Sequence, residues 1–170
     1  AEGGRIKPDF FLSLVTIHGT MMVFFVLTAG LSGTFSNLLI PYQIGARDMA
    51  SPLMNMLSYW FFFVACVIML GSFFVESGPA AAGWTIYPPL SAVPTAIAGS
   101  GLGMTLWLVS MTLFIVSQVL GGVNYVSTIL NMRTKGMDLW KMPLTFWSFF
   151  LTAIVGLLSF PVLVSAVVLL

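Results

Sequence analysis

Four long stretches of the 170-residue sequence carry no charged residue, and this limits the chain to a small set of folds. The stretches are 10–46, 49–75, 77–132 and 142–170. A bilayer core about 30 Å thick is crossed by about 20 apolar helical residues, so each stretch is long enough to span a membrane. Only 6% of the residues are charged and 59% are hydrophobic, with a mean hydropathy of +1.05. This composition excludes a soluble domain, a disordered chain and a nucleic-acid-binding protein.

The third stretch is the longest, but its first part has the composition of a loop. Prolines there remove backbone donors and glycines relax the backbone: Pro79, Pro88, Pro89 and Pro94 with Gly78 and Gly83. We therefore predict an all-α membrane protein, a polytopic bundle with one outer loop over 77–99. Its four transmembrane helices are predicted at about 10–40, 53–75, 101–132 and 143–169, and they form a single transmembrane region over 1–170.

The positive charges of the connecting segments predict the orientation. Segments 41–52 and 133–142 hold Arg47, Arg133, Lys135 and Lys141, whereas 76–100 holds no lysine or arginine. The positive-inside rule places the first two segments in the cytoplasm and the third outside. Arg5 and Lys7 oppose this orientation, although Glu2 and Asp9 accompany them. Because the chain starts without Met and ends on an uncharged apolar run, we expect an internal piece of a longer polypeptide.

His18 is the only histidine and lies inside the first predicted span. With a helix start at Pro8 and Asp9, it falls about 14 Å along the axis, in the outer half of the bilayer. Burying an imidazole in hydrocarbon is unfavourable unless a group bonds or coordinates it. A ligand to haem iron and a histidine hydrogen-bonded across a helix interface both fit this requirement. Helical spacing also predicts a shared face for His18 and four further residues: Phe25, Ala29, Ser32 and Ser36.

A polar stripe runs along the third predicted helix, with one member every seven residues: Ser110, Ser117, Asn124 and Asn131. Seven residues make nearly two turns, so these side chains share one line on the helix. Such a line can order a file of water, since hydroxyls and amides both donate and accept. It can also join neighbouring helices, which is the interpretation that the spacing alone favours.

A second polar group gathers near the cytoplasmic ends of the first two predicted helices. Asn37 lies at the end of the first helix, and Asn55 and Ser58 lie near the start of the second. Asp48 lies in the loop between them. A carboxylate at a cytoplasmic mouth, with amides and hydroxyls leading inward, is what a proton path needs. The alternative is a surface pair between Asp48 and Arg47.

Six segments stand in a fixed order along the chain: His18-Gly19-Thr20, Asn37, Ile44 to Ala50, Leu57 to Trp60, Gly83 to Ser91, and Asn131-Met132-Arg133. Together they resemble the haem-copper oxidases, and within them the catalytic subunit, subunit I, of A-type cytochrome c oxidase. The resemblance implies a twelve-helix subunit, of which this chain would supply the second to fifth helices. The implied activity is that of a proton-pumping terminal oxidase that reduces dioxygen to water with electrons from cytochrome c.

The resemblance also implies residue roles. His18 matches the first axial ligand of the low-spin haem, which we expect to be haem a. Asp48 matches the carboxylate at the mouth of the D-type proton channel. The residues that match the inner channel lining are Asn37, Asn55, Ser58, Ser117 and Asn124. Trp84 and Tyr87 match an outer-loop pair over the oxygen-reducing centre. The high-spin haem and copper are expected in the full subunit, with their ligands outside this chain.

Some residues depart from the family pattern. Arg47 replaces a proline that many relatives carry before the channel aspartate, and it should favour an ionised Asp48. The other departures are Met54 and Met56 beside the channel asparagine, and Phe114 and Gln118 in place of two of three serines. The proton path is therefore expected to run differently around the third helix.

The implied partners are other oxidase subunits, cytochrome c and membrane lipid, with no nucleic acid. The expected location is the bacterial cytoplasmic membrane, with the mitochondrial inner membrane ranked second. Two alternatives stay open from the sequence. One is a quinol oxidase of the same superfamily, and the other, of a different class, is a proton-conducting transporter segment without haem.

Overall fold

The computed structural model describes residue 4, residues 6–97 and residues 99–170. Three residues named above or within the predicted outer loop lie outside the described residues: Glu2, Arg5 and Ala98. Within the described part, four helices are long and apolar enough to cross a membrane, and no residue is in a β-strand. The predicted all-α, polytopic helix bundle is confirmed.

The helix bounds follow local signals. Helix α1 is Pro8–Ile44, α2 is Pro52–Gly71 with a 3₁₀ turn at Ser72–Phe74, α3 is Leu102–Asn131 and α4 is Leu144–Leu169. Helix α1 continues past the predicted end at 40 and stops where Gly45 adopts a left-handed conformation with φ 72°. Helix α2 begins after Ser51, whose Oγ accepts a hydrogen bond from Met54 N at 3.3 Å.

The middle of α1 is wider than an α-helix, because Met21–Gly33 forms π-helical turns. Two hydroxyls there donate to the carbonyl oxygen five residues back, Thr28 to Val23 at 2.8 Å and Ser32 to Leu27 at 3.1 Å. A turn with more residues rotates each successive side chain by less, so positions seven apart no longer point the same way. Phe25 is buried while His18 is exposed, and the predicted shared face is wrong for this pair.

The polar stripe of α3 joins that helix to α2. Three side chains donate to carbonyl oxygens: Ser110 to Ala65 at 2.6 Å, Ser117 to Ser58 at 2.6 Å and Asn124 to Ser51 at 3.1 Å. Each step of seven forward along α3 is matched by a step of seven backward along α2. The spacing is therefore the register of an antiparallel helix pair, and the helix-joining interpretation holds for these members. Asn131, the fourth, is exposed and donates to Ser127 O of its own helix at 3.0 Å.

An aromatic cluster fills the middle of the bundle. Phe114 of α3 is fully buried. Its ring centroid lies 5.7 Å from Phe24 and 5.2 Å from Phe25 of α1, and 6.3 Å from Phe160 of α4. The rings meet edge-on or tilted, as aromatic pairs prefer. Phe114, one of the departures from the family pattern noted above, thus makes the interior apolar where that pattern has a serine.

Candidate functional site

A cavity of about 490 Å³ lies between α1, α2 and α3 and is open beside Asp48. Its polar lining contains five of the predicted proton-path residues: Asp48, Asn37, Asn55, Ser58 and Ser117. Four further polar residues line it: Thr34 of α1, Tyr59 of α2, and Gln118 and Tyr125 of α3. Residues from three helices and one loop therefore converge on one space, as the proton-path prediction requires.

The donor groups of the two serines in this lining are already engaged. Ser58 Oγ donates to Asn55 O at 2.8 Å, and Ser117 Oγ donates to Ser58 O at 2.6 Å. A hydroxyl that has donated its proton keeps two lone pairs as acceptors. Towards the cavity, both serine oxygens can therefore act only by accepting hydrogen bonds.

Asn37 is held in a similar state by Tyr125. Its Nδ2 donates to Gly33 O at 2.8 Å and to Tyr125 Oη at 3.0 Å. Its Oδ1 is buried and has no hydrogen-bond partner among the described residues. A buried acceptor of this kind is normally satisfied by a water molecule or another donor. The Asn37 amide group is thus fixed beside the cavity, with its acceptor oxygen enclosed by the protein.

The loop that carries Asp48 is fixed at its upstream end by Thr134. Thr134 Oγ1 donates to Ile44 O at 2.6 Å, and Thr134 N donates to the same oxygen at 3.1 Å. A Cβ at Gly45 would lie 2.8 Å from Thr134 Oγ1, so the close approach needs a glycine as well as the left-handed backbone. Asp48 is exposed, and its Oδ1 accepts a hydrogen bond from Met49 N at 2.7 Å.

The downstream end of this loop is fixed by α3. Ala50 N donates to Thr128 Oγ1 at 2.9 Å. Ser51 N donates to Asn124 Oδ1 at 2.9 Å, and Asn124 Nδ2 returns a hydrogen bond to Ser51 O at 3.1 Å. Asn124 is 1% exposed and does not line the cavity. Asn124 is thus the one predicted path residue outside the cavity lining, and it instead holds the loop that carries Asp48.

The predicted alternative for Asp48, a surface pair with Arg47, does not occur in the structure. Among the described residues the one ion pair joins Lys141 and Asp138, with N and O 3.6 Å apart. Asp48 is therefore an exposed carboxylate at the cavity mouth without a cationic partner within the described residues.

His18 lies at the other end of the bundle, on the exposed face of α1. Its imidazole makes no hydrogen bond to any described residue. The donor chemistry fits an axial haem ligand, since an unengaged imidazole on an otherwise apolar span is free to coordinate a group beside the helix. Within the described residues, no three or more His, Cys, Asp or Glu side chains cluster closely enough to hold a metal ion.

The outer loop lies against the turn that carries His18. A Cβ at Gly19 would lie 3.2 Å from Trp84 Cδ1, and the Trp84 ring meets Phe24 edge-on at 6.0 Å. Tyr87 lies further along the same loop and is 70% exposed. The structure thus brings Trp84, of the predicted outer pair, beside the haem-ligand candidate.

Sequence reasoning did not find the contacts that hold these side chains. Tyr125 bonds Asn37 from α3, and Trp107 Nε1 bonds Thr20 Oγ1 at 3.0 Å. Both contacts join residues nearly ninety positions apart, about half the chain length. The available signal was weak: Tyr125 directly follows a stripe residue, and Trp107 is one helical turn before another.

Sequence comparison establishes the family. The profile of the family described as "Cytochrome C and Quinol oxidase polypeptide I" matches residues 1–170. The chain is 47% identical over 158 residues to the "Alternative cytochrome c oxidase subunit 1" of Bradyrhizobium diazoefficiens, covering 93% of this chain and 27% of that protein. It is 42% identical over 166 residues to the "Cytochrome c oxidase subunit 1" of Synechocystis sp., covering 97% of this chain and 28% of that protein.

The chain therefore belongs to the cytochrome c and quinol oxidase polypeptide I family, and the recognition from six ordered segments is confirmed. It spans just over a quarter of the length of these two curated relatives.

The clamp on the Asp48 loop leads to a stability prediction. In the full-length protein, Asn124→Ala removes both hydrogen bonds to Ser51 and leaves the backbone N–H of Ser51 unpaired. We expect the free energy of unfolding to fall by about 1–3 kcal/mol, measured by denaturation of the purified protein in detergent. The matched control is Asn131→Ala, which removes an exposed amide and should change stability by less than about 0.5 kcal/mol. Equal stability of both variants and the wild type would show that the clamp is not needed.

Proposed function

We propose that this chain is part of the catalytic subunit of a proton-pumping terminal oxidase, which reduces dioxygen to water with electrons from cytochrome c. Family membership and the names of the two relatives support the reaction class. The observation that carries the proposal is the convergence of five path residues on one cavity with Asp48 at its mouth. The region 1–170 acts as a single transmembrane unit of the full subunit.

His18 is the axial ligand of the low-spin haem in this proposal. Haem, when bound, supplies reversible one-electron chemistry, while the protein supplies ligation and orientation. The exposed imidazole at an apolar helix surface is available to such a group. The low-spin haem is taken to be haem a. The high-spin haem and copper bind elsewhere in the full subunit, where further histidines are required.

Asp48 admits protons from the cytoplasm to the cavity. Its exposed carboxylate can take a proton from bulk water and pass it to water within the cavity. The free oxygens of Ser58 and Ser117 accept hydrogen bonds, so they orient the hydrogens of that water towards the lining and stabilise an excess proton. A lining rich in acceptors favours a proton over an anion.

Two residues give this path its shape. The Asn55 amide lines the cavity and makes no hydrogen bond to a described residue, so it can both donate and accept. The buried Phe114 lies one helical turn from Ser117, towards the outer end of α3. The path therefore leaves α3 at the height of Ser117, as the departures from the family pattern predict. Trp84 and Tyr87 lie on the outer side, over the oxygen-reducing centre.

The proposed partners are the other oxidase subunits, cytochrome c and membrane lipid, and the proposed location is the bacterial cytoplasmic membrane. The bacterial origin of the two relatives supports this location. A quinol oxidase is the second candidate, favoured by the family description, which covers both kinds of oxidase.

The ligand role of His18 is tested by His18→Ala in the full-length oxidase. We expect complete loss of the low-spin haem signal in the visible and electron paramagnetic resonance spectra, because no other histidine of this chain can replace the ligand. Val15→Ala is the matched control: it truncates an exposed neighbour one turn away and should leave the signal unchanged. A full low-spin signal in the His18 variant would refute the assignment.

The role of Asp48 is tested by Asp48→Asn, which keeps the shape of the side chain but removes its ability to carry a proton. We expect proton uptake, followed by stopped-flow with a pH indicator, to slow by about 10²-fold while haem content stays normal. Asp138→Asn, at an exposed aspartate on the same side of the membrane, should leave uptake unchanged. Unaltered turnover and pumping in Asp48→Asn would reduce Asp48 to a surface charge.

A further inference from the structure

The outer part of α1 is held by three hydrogen bonds made by hydroxyl side chains. Ser13 Oγ donates to Pro79 O at 3.1 Å, and Thr16 Oγ1 accepts from Gly83 N at 2.9 Å. Thr20 Oγ1 accepts from Trp107 Nε1 at 3.0 Å. The first two bonds attach the helix to the outer loop, and the third attaches it to α3. Together they fix the rotation of this part of α1 about its own axis.

These hydroxyls lie on the face of α1 opposite His18. Ser13, Thr16 and Thr20 are 3%, 1% and 0% exposed, whereas His18 is exposed. Successive residues of an α-helix are rotated by about 100°, so His18 is about 200° from both Thr16 and Thr20. Any rotation that these bonds permit therefore changes the direction in which the imidazole leaves the helix.

The remainder of α1 does not hold His18 in the same way. The π-helical turns begin at Met21, directly after Thr20. The twist of the helix changes at that point, so the facing of the outer part is offset from the facing of the half that ends at Ile44. The side-chain hydrogen bonds to other elements that lie nearest to His18 are therefore those made by Ser13, Thr16 and Thr20.

Of the three bonds, the one between Thr20 and Trp107 attaches α1 to the packed pair of helices α2 and α3. Trp107 is 2% exposed and lies one turn before Ser110, which is bonded to α2. The indole N–H is thus held by the α2–α3 pair, while the other two bonds end on loop backbone. Thr20 Oγ1 also donates to Thr16 O at 2.8 Å, so its acceptor lone pairs face Trp107.

We propose that Thr20 and Trp107 are positioning residues for the low-spin haem, because their hydrogen bond sets the direction of the His18 imidazole. The inference rests on the proposed function, in which His18 is the axial ligand. Mutation of groups that orient a metal ligand without touching the metal typically costs about 10- to 100-fold in metal affinity or activity.

The test uses Thr20→Val in the full-length oxidase with its haems bound. Valine keeps the size of threonine but removes the acceptor, which leaves the buried indole N–H unpaired. We expect the low-spin haem to be retained, with shifted or broadened electron paramagnetic resonance lines and haem loss in detergent about tenfold faster. Thr20→Ser keeps the hydroxyl and should restore the wild-type lines.

Two controls separate this effect from a general weakening of the helix. Thr28→Val removes a hydroxyl of the same helix that bonds only Val23 O, and its haem spectrum should match the wild type. Trp107→Phe removes the N–H from the other partner and should shift the lines in the same way as Thr20→Val. Should Thr20→Val fail to accumulate, Trp107→Phe decides the question alone.

The outcomes distinguish this inference from the proposed function. Wild-type lines in both Thr20→Val and Trp107→Phe would overturn the positioning role, even if His18→Ala abolishes the low-spin signal. A low-spin signal retained in His18→Ala would overturn the ligand assignment and the positioning role with it. Shifted lines in Thr28→Val as well would show that any loss of a hydroxyl disturbs the haem, and would equally overturn the specific role.

Discussion

Side-chain hydrogen bonds from α3 to the backbone of α2 organise this bundle. A carbonyl oxygen inside a helix keeps a second lone pair after its helical bond, so a side chain of α3 that donates to it fixes the contact between the two helices. The seven-residue spacing sets the antiparallel register of the two helices. Its last paired member, Asn124, extends the same ladder onto the loop that presents Asp48. The register of the pair and the position of the cavity mouth are therefore one structural feature, and the function proposed for Asp48 depends on it.

The two ends of the bundle serve different requirements. At the end of the bundle that carries Asp48, the hydroxyl donors of Ser58 and Ser117 are engaged within the protein, which leaves their oxygens to act as acceptors. At the outer end, hydroxyls hold one face of α1 so that His18 can project from the other. The aromatic cluster around Phe114 lies between them and keeps the interior apolar. The proposed proton path and the proposed haem ligand can thus share four helices without a polar connection through this core.

Much of this was predictable from the sequence. Uncharged stretches of membrane-spanning length predict the four helices, and the heptad spacing alone favours a helix-joining stripe. The π-helical turns were not predictable, since Met21–Gly33 has no periodicity that distinguishes it from an α-helix. For that reason the prediction that His18 and Phe25 share a helix face was wrong. The clamp role of Asn124 and the bonds made by Tyr125 and Trp107 depend on three-dimensional neighbours that no local pattern encodes.

The reduced-minus-oxidised visible spectrum of the purified full-length complex, with its haems extracted and identified, tests the oxidase proposal as a whole. We expect bands of haem a, because His18 is proposed to ligate a low-spin haem of that type beside α1. Haem b alone would shift the proposal to the quinol oxidase. A complex with no haem at all would contradict the proposed function, and the cavity beside Asp48 would then have to serve a protein without redox chemistry.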